Sequence, residues 1–245
     1  MKVLQISDCH VSADPDADYR GQSAERNLVS LLPAARAWDP DLVLLTGDVS
    51  EDASAASYAR VAIRLGTLGA PILALPGNHD EPEVMKDHFP LGPWAGPGAF
   101  EMDQWLVMGL DSTRRGKIYG SFSQQDLERF DASMRGSEAE HILVALHHQP
   151  VPVNAPWIDR YALEDPDRFL NYVDRETRVR CVAWGHVHHA VAADRKGVSF
   201  LGAPSSVANS LPGTQKFTLD LAGPSCRWLE LGDDGTVTTG LLRRV

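Results

Sequence analysis

Five short blocks of this chain carry side chains that bind metal ions or move protons. They are Asp8-Cys9-His10, Gly47-Asp48, Gly77-Asn78-His79-Asp80, His147-His148 and Gly185-His186-Val187-His188-His189. Together they hold seven of the nine histidines. The donors are carboxylate and amide oxygens and imidazole nitrogens, a set that suits Mn, Fe, Co or Zn rather than Cu(I) or an iron–sulfur cluster. The candidate ligands are Asp8, His10, Asp48, Asn78, His147, His186 and His188. Asp48 has two carboxylate oxygens and can bridge two cations, and Gly47 lets the backbone turn tightly beside it. His79 is either a ligand or a proton carrier, with Asp80 placed to orient it. Two cations about 3.5–4 Å apart can clamp a phosphate and activate water for in-line displacement. Each block alone has a plainer reading: Asp48 as a turn aspartate, His147 as a satisfied core histidine, residues 77–80 as an Asx turn. Their company outweighs those readings. A zinc-finger site is set aside because the chain has no C-x-x-C pair, and a serine nucleophile elbow because it has no G-x-S-x-G.

Each block follows a short apolar run, at residues 3–7, 42–45, 72–75, 142–146 and 181–184. Such runs read as buried strands, so the blocks fall at strand carboxyl ends, where α/β folds build their sites. An extended backbone would turn Asp8 and His10 to one side, and likewise His186 and His188, with Cys9 facing away. Helices are expected over about 23–38, kinked or split by Pro33, and over about 53–68. The βαβαβ rhythm predicts parallel pairing. Residues 100–103 and 105–111 read as a hairpin-like pair. Ser123 reads as a helix N-cap, with Asp126 three residues on and Leu127, Phe130 and Met134 along one face. Residues 141–146 and 179–184 are further strands. The tail offers short strands at 198–201, 216–219, 226–231 and 236–242, with Asp233-Asp234-Gly235 as a hairpin turn. With no repeat, low-complexity segment or linker, the 245 residues are expected to form one domain, residues 196–245 being its β-rich C-terminal part.

Hydrophobic residues make up 43% and charged residues 23%, ordinary for a soluble globular protein. No apolar run approaches the ~18 residues of a membrane span. A strand that begins almost at once leaves no room for a signal peptide. Three cysteines without paired spacing give no disulfide framework, and a cytoplasmic location is expected. The net charge of −10 argues against a broad nucleic-acid surface. It leaves room for a small anion, because two divalent cations bring about +4 to the place where a phosphate sits.

The blocks D-x-H, GD, GNHD, H and GHxH occur in the order that identifies the calcineurin-like metallophosphoesterase superfamily, and the chain resembles it from Asp8 to His188. The resemblance implies an α/β fold, two packed mixed β-sheets flanked by helices. It implies two divalent or transition metal ions (Fe, Mn, Zn or Co). One would take Asp8, His10 and His188, the other Asn78, His147 and His186, with Asp48 bridging. His79 would contact the scissile phosphate as proton donor or charge stabiliser, and His148 joins Asn78 and His79 as a candidate substrate contact. Four further segments look like the class III bacterial cyclic-nucleotide phosphodiesterase branch. These are Gly109-Leu110-Asp111-Ser112, Leu146-His147-His148-Gln149-Pro150, Gly202-Ala203-Pro204-Ser205-Ser206 and Arg227-Trp228-Leu229-Glu230.

The expected activity is metal-dependent hydrolysis of small phosphodiesters, foremost 3′,5′-cyclic nucleotides such as cAMP, opened to 5′-AMP. Broad or glycerophospho-type diesterases and phosphomonoesterases are the rivals. Protein phosphatases of the superfamily typically carry GNHE where this chain has GNHD. A nuclease would want a basic groove, and a non-catalytic binding module would have lost ligands. The partners expected are a small phosphodiester, no nucleic-acid polymer and no membrane, with a homodimer left open. The Pro- and aromatic-rich segment 151–172 is expected beside the metals. There Trp157 or Tyr161 would stack on a base, with Asn154 and Asn209 as polar contacts; the plainer reading is core or subunit interface.

Overall fold

Thirteen strands and six helices are formed within residues 1–244, the part of the chain that the computed structural model describes. The strands are β1 (Lys2–Ile6), β2 (Asp18–Tyr19), β3 (Gln22–Ser23), β4 (Leu42–Thr46), β5 (Ile72–Leu75), β6 (Gly98–Met102), β7 (Trp105–Gly109), β8 (His141–Leu146), β9 (Val179–Trp184), β10 (Val191–Arg195), β11 (Val198–Gly202), β12 (Ser225–Leu231) and β13 (Val237–Arg243). The helices are α1 (Ala24–Trp38), α2 (Ala55–Gly66), α3 (Pro82–Met85), α4 (Gln124–Gly136), α5 (Pro156–Asp159) and α6 (Pro166–Arg175).

The long strands form two mixed sheets, one ordered β13-β12-β1-β4-β5 and the other β10-β11-β9-β8-β7-β6. Strands β1, β4 and β5 pair in parallel, as do β7, β8, β9 and β11, while the outer pairs are antiparallel. The period of two along each strand divides its apolar residues between layers. On β4, Leu42 and Leu44 enter the core between the sheets, and Val43 and Leu45 the core beneath α1 and α2. On β8, Leu143 and Ala145 face the other sheet, while Ile142, Val144 and Leu146 pack with α4 and α6. The layers are therefore helix, sheet, sheet, helix, as expected. No helix among the described residues is long and apolar enough to cross a membrane.

Local signals explain most of the helix starts. Ser54 caps α2 by accepting from the Ser57 N–H, and Ser123 with Asp126 makes a capping box on α4. Helix α1 runs unbroken through Pro33, because Leu28, Leu31, Leu32 and Ala35 bury its inner face on both sides of the ring. Residues 216–219 form no strand; this stretch contributes only a bridge between Ser210 and Leu219. Both sides of β12 are already taken by β1 and β13, so no inner edge is left for it. Strand β10 escapes a hydrophobicity reading because most of its residues are exposed on a sheet edge. Helices α5 and α6 are hidden by Pro156 and Pro166, which sit at helix N-termini where proline is well tolerated. The C-terminal strands divide between the sheets, β11 joining the second and β12–β13 the first.

Candidate metal centre

The loops after β1, β4, β5, β8 and β9 carry the five chemical blocks, and hydrogen bonds tie the two sheets together at this end. His147 Nδ1 bonds the Thr46 carbonyl at 2.8 Å, and the His186 N–H donates to Asp8 Oδ2 at 3.1 Å. The i, i+2 pairs do converge, but not through an extended backbone. Asp8, His10, Asp48, His186 and His188 have φ of 53°, 43°, 49°, 66° and 53°, all left-handed. Such residues cost ~1–3 kcal/mol each and persist where the surroundings fix them. Here the Asp8 and His10 N–H groups donate to Gly47 O and Asp48 O, both at 3.0 Å. Gly47 is required twice over: its φ is +90°, and a Cβ would strike the His147 ring and come within 2.9 Å of Gly77 Cα. A Cβ on Gly77 would likewise collide with the Asp48 side chain.

Donor atoms gather in overlapping groups in which all lie within 4.8 Å of one another. These include Asp8 with His10 and His188, Asp8 with Asp48 and His147, and His10 with Asp48 and His79. Asp48 stands between them. Its Oδ2 is 3.8 Å from His10 Nε2 and its Oδ1 3.5 Å from His147 Nε2. Burial pushes the Asp8 and Asp48 carboxyls up, but the neighbouring histidines outweigh it and hold both below the usual carboxylate range. Cys9 packs in the core under α1 and α2.

The other ring nitrogens are anchored. His10 Nδ1 lies 2.8 Å from Glu51 Oε2, and His188 Nδ1 lies 2.8 Å from Ala208 O. Carboxylate and carbonyl oxygens only accept, so these Nδ1 atoms carry the protons and the Nε2 lone pairs turn inward. Tyr19 stacks on His10 at 3.7 Å and holds the ring plane.

Glu51 was not among the residues expected here. It lies three positions after Asp48 and also meets His79 Nδ1 at 3.1 Å. Burial disfavours the His79 cation, but Glu51 and Asp48 prevail and raise its pKa to about 9. The His79 side chain is 35% exposed, so it borders open space while Asp8, His10, Asp48, His147, His186 and His188 are buried. Asp80 does not orient His79. It accepts from the backbone N–H groups of Gly77, Ser50 and Val49 and from the Tyr58 hydroxyl, at 2.8–3.2 Å, clamping the 47–51 loop to the 77–80 loop.

His148 differs from its expected role as a substrate contact. The ring is fully buried, with Nδ1 2.8 Å from Ser112 Oγ and Nε2 3.0 Å from Ile118 O, so both ring nitrogens are engaged internally. Burial pushes its pKa down to about 3, leaving a neutral ring. Asn209 is also spent, bonding Ser205 through both ends of its amide and Gly223 O besides. Asn154 is exposed. Trp157 does reach the site: its ring is 6.4 Å from His188 and meets Phe217 edge-on at 5.4 Å. Tyr161 packs against the core beneath α4 and α6.

The residues fit a pair of cations. Asn78 Oδ1 and His186 Nε2 are buried without any hydrogen-bond partner among the described residues. His10 Nε2 and His188 Nε2 face each other at 3.3 Å with their lone pairs inward, an arrangement that calls for positive charge between them. Cation binding should therefore stabilise the fold. At about 100 times the dissociation constant a single site contributes ~2.7 kcal/mol, which for a domain of this size corresponds to ~5–10 °C in Tm. Differential scanning calorimetry of chelator-treated protein, with and without added Mn²⁺, reads that shift directly. An unchanged Tm would mean the donors gain nothing from a cation.

Residues 1–190 match the family described as calcineurin-like phosphoesterase. The chain is 32% identical to the 3′,5′-cyclic adenosine monophosphate phosphodiesterase CpdA of Pseudomonas aeruginosa, over 98% of this chain and 89% of that one. It is 31% identical to the 3′,5′-cyclic-nucleotide phosphodiesterase of Nostoc, over 99% and 92%. Among solved structures, a dimetal phosphatase from Danio rerio superposes with a TM-score of 0.76 at 15% identity, covering 100% of this chain and 96% of that one. That last likeness is one of fold.

Proposed function

Because the chain belongs to the calcineurin-like phosphoesterases, we propose that it is a dinuclear phosphodiesterase that opens 3′,5′-cyclic nucleotides, turning cAMP into 5′-AMP. One observation carries this reading: Asp48 lies within 4 Å of both His10 Nε2 and His147 Nε2 and belongs to two overlapping donor groups, one with Asp8 and His147 and one with His10 and His79. Asp8, His10 and His188 would hold one ion, and Asn78, His147 and His186 the other. Asp48 would serve both, and Fe, Mn, Zn or Co would suit the donors. The ions, when bound, supply charge stabilisation at the phosphoryl oxygens and a lowered pKa for water.

The chain's own residues do the rest. Water adds at phosphorus, the P–O3′ bond breaks, and the 3′ oxygen needs a proton. His79 is suited to give it, since Glu51 holds its Nδ1 and the ring borders open space. Glu51 keeps the His79 and His10 rings in orientation through their Nδ1 atoms. In a cyclic diester the leaving oxygen stays tethered to the sugar, so the site must accommodate a whole nucleoside. A net charge of −10 makes long nucleic-acid strands poor ligands.

The test is a steady-state comparison on manganese-loaded protein of cAMP, an activated aryl diester such as bis(4-nitrophenyl) phosphate, and 5′-AMP. The kcat/KM should be higher for the diesters than for the monoester, with 5′-AMP accumulating from cAMP. Release of inorganic phosphate from 5′-AMP faster than ring opening would replace this reading with a phosphomonoesterase.

A further inference from the structure

Beside Asn78 lies a cleft of about 390 Å³. Gly77, Asn78, Asp80 and Lys86 are among the residues that line it, together with Trp94 and Asp111. A second cavity of about 180 Å³, lined in part by Leu110, Phe122 and Phe130, shares Pro93, Trp94, Asp111 and Arg114 with it. Trp94 and Asp111 thus line both the cleft beside Asn78 and the neighbouring cavity, an aromatic ring and a carboxylate side by side.

Several charged groups around the cleft are already paired: Lys86 with Glu83, Arg114 with Asp126, and Asp80 with backbone N–H groups. Glu81, Arg115 and Asp111 make no ion pair among the described residues. Asp111 Oδ1 accepts from the Thr113 N–H at 2.8 Å and the Thr113 hydroxyl at 2.6 Å, while Oδ2 has no hydrogen bond among the described residues. The Trp94 ring is fixed by its N–H, which donates to Phe89 O at 2.8 Å, so its plane is set before any ligand arrives. Asp111 belongs to the Gly109–Ser112 segment, for which the metal chemistry has no use.

We propose that this cleft receives the nucleoside half of the substrate, with Trp94 as the stacking surface and Asp111 Oδ2 as acceptor for an amino group of the base. The proposal rests on the reading of the centre as a nucleotide-cleaving one. An anionic acceptor there favours bases that present N–H, such as adenine, over bases that present a bare ring edge. Trp157 stands on the His188 side with Phe217 edge-on to its ring and does not line this cleft, so it is not the stacking surface here.

Calorimetric titration of manganese-loaded protein tests this with three probes: 5′-AMP, purine-riboside 5′-monophosphate, which lacks the amino group, and ribose 5-phosphate, which lacks the base. Trp94→Ala should weaken 5′-AMP binding about tenfold while ribose 5-phosphate changes less than about twofold. Trp94→Phe keeps a stacking face and should retain most of the 5′-AMP affinity, which separates stacking from misfolding. Asp111→Asn keeps the Oδ1 acceptor for Thr113 but puts a donor at the other position. It should weaken 5′-AMP by about tenfold and purine-riboside monophosphate by less than about twofold. Trp157→Ala should shift 5′-AMP and ribose 5-phosphate alike. If Trp94→Ala weakened both probes equally, or if Trp157→Ala were the base-selective change, the assignment would be overturned. A wild type that binds 5′-AMP through Trp94 and Asp111 yet leaves cAMP intact would support the cleft and refute the diesterase reading. A wild type that opens cAMP but shows no base-selective loss in either variant would do the reverse.

Discussion

Replacing Asp48 by alanine is expected to damage the enzyme more than replacing any terminal donor. The carboxylate lies between the two donor groups, within 4 Å of both His10 Nε2 and His147 Nε2, and its Oδ1 also accepts from the His79 N–H at 3.0 Å. Its loss would weaken both cation positions and loosen the 77–80 loop. The fall in kcat/KM for cAMP should exceed the ~10²–10³-fold that removal of a single electrostatic contact costs. Elemental analysis of the purified variant should show less than one metal per chain. Asp8→Ala or His188→Ala should retain more. If Asp48→Ala kept two metals and most of its activity, the carboxylate would not be the shared ligand.

His79→Ala should separate binding from chemistry. The ring sits at the edge of the donor cluster, partly exposed, and Glu51 holds its Nδ1. Loss of a general acid lowers kcat by ~10²–10⁴-fold. The drop should be smaller for an aryl diester, whose good leaving group needs less protonation than the 3′ oxygen of cAMP. Metal content should stay near that of the wild type. Loss of one metal would move His79 into the ligand set, and an equal drop on both substrates would argue for charge stabilisation over proton donation. Glu51→Gln keeps the hydrogen-bonding shape and removes the charge, so it should reproduce part of the His79 effect.

How the site was legible follows from where its residues lie. The blocks at Asp8, Asp48, Asn78, His147 and His186 stand out because each follows a strand so apolar that a polar residue directly after it is conspicuous. The same apolar runs yield β4, β5, β8 and β9 nearly to the residue. What supports those blocks was hidden. Thr46 and Ala208 act through backbone carbonyls, which any residue type would offer. Glu51 resembles any surface glutamate until the 47–51 loop folds back over His10 and His79. The left-handed backbone at His10, His186 and His188 is unusual for non-glycine residues and leaves no compositional trace. His148 shares a dipeptide with His147, yet Ser112 and Ile118 turn it into a buried strut, and neighbouring positions at a strand end could not tell the two apart.

The number of cations the chain needs separates this mechanism from its rivals most directly. Metal-free protein titrated with Mn²⁺, with bound metal and cAMP ring opening followed in the same samples, measures it. The donor geometry predicts that binding saturates near two ions per chain and that activity rises with the second. Full activity at one ion per chain or fewer would contradict it.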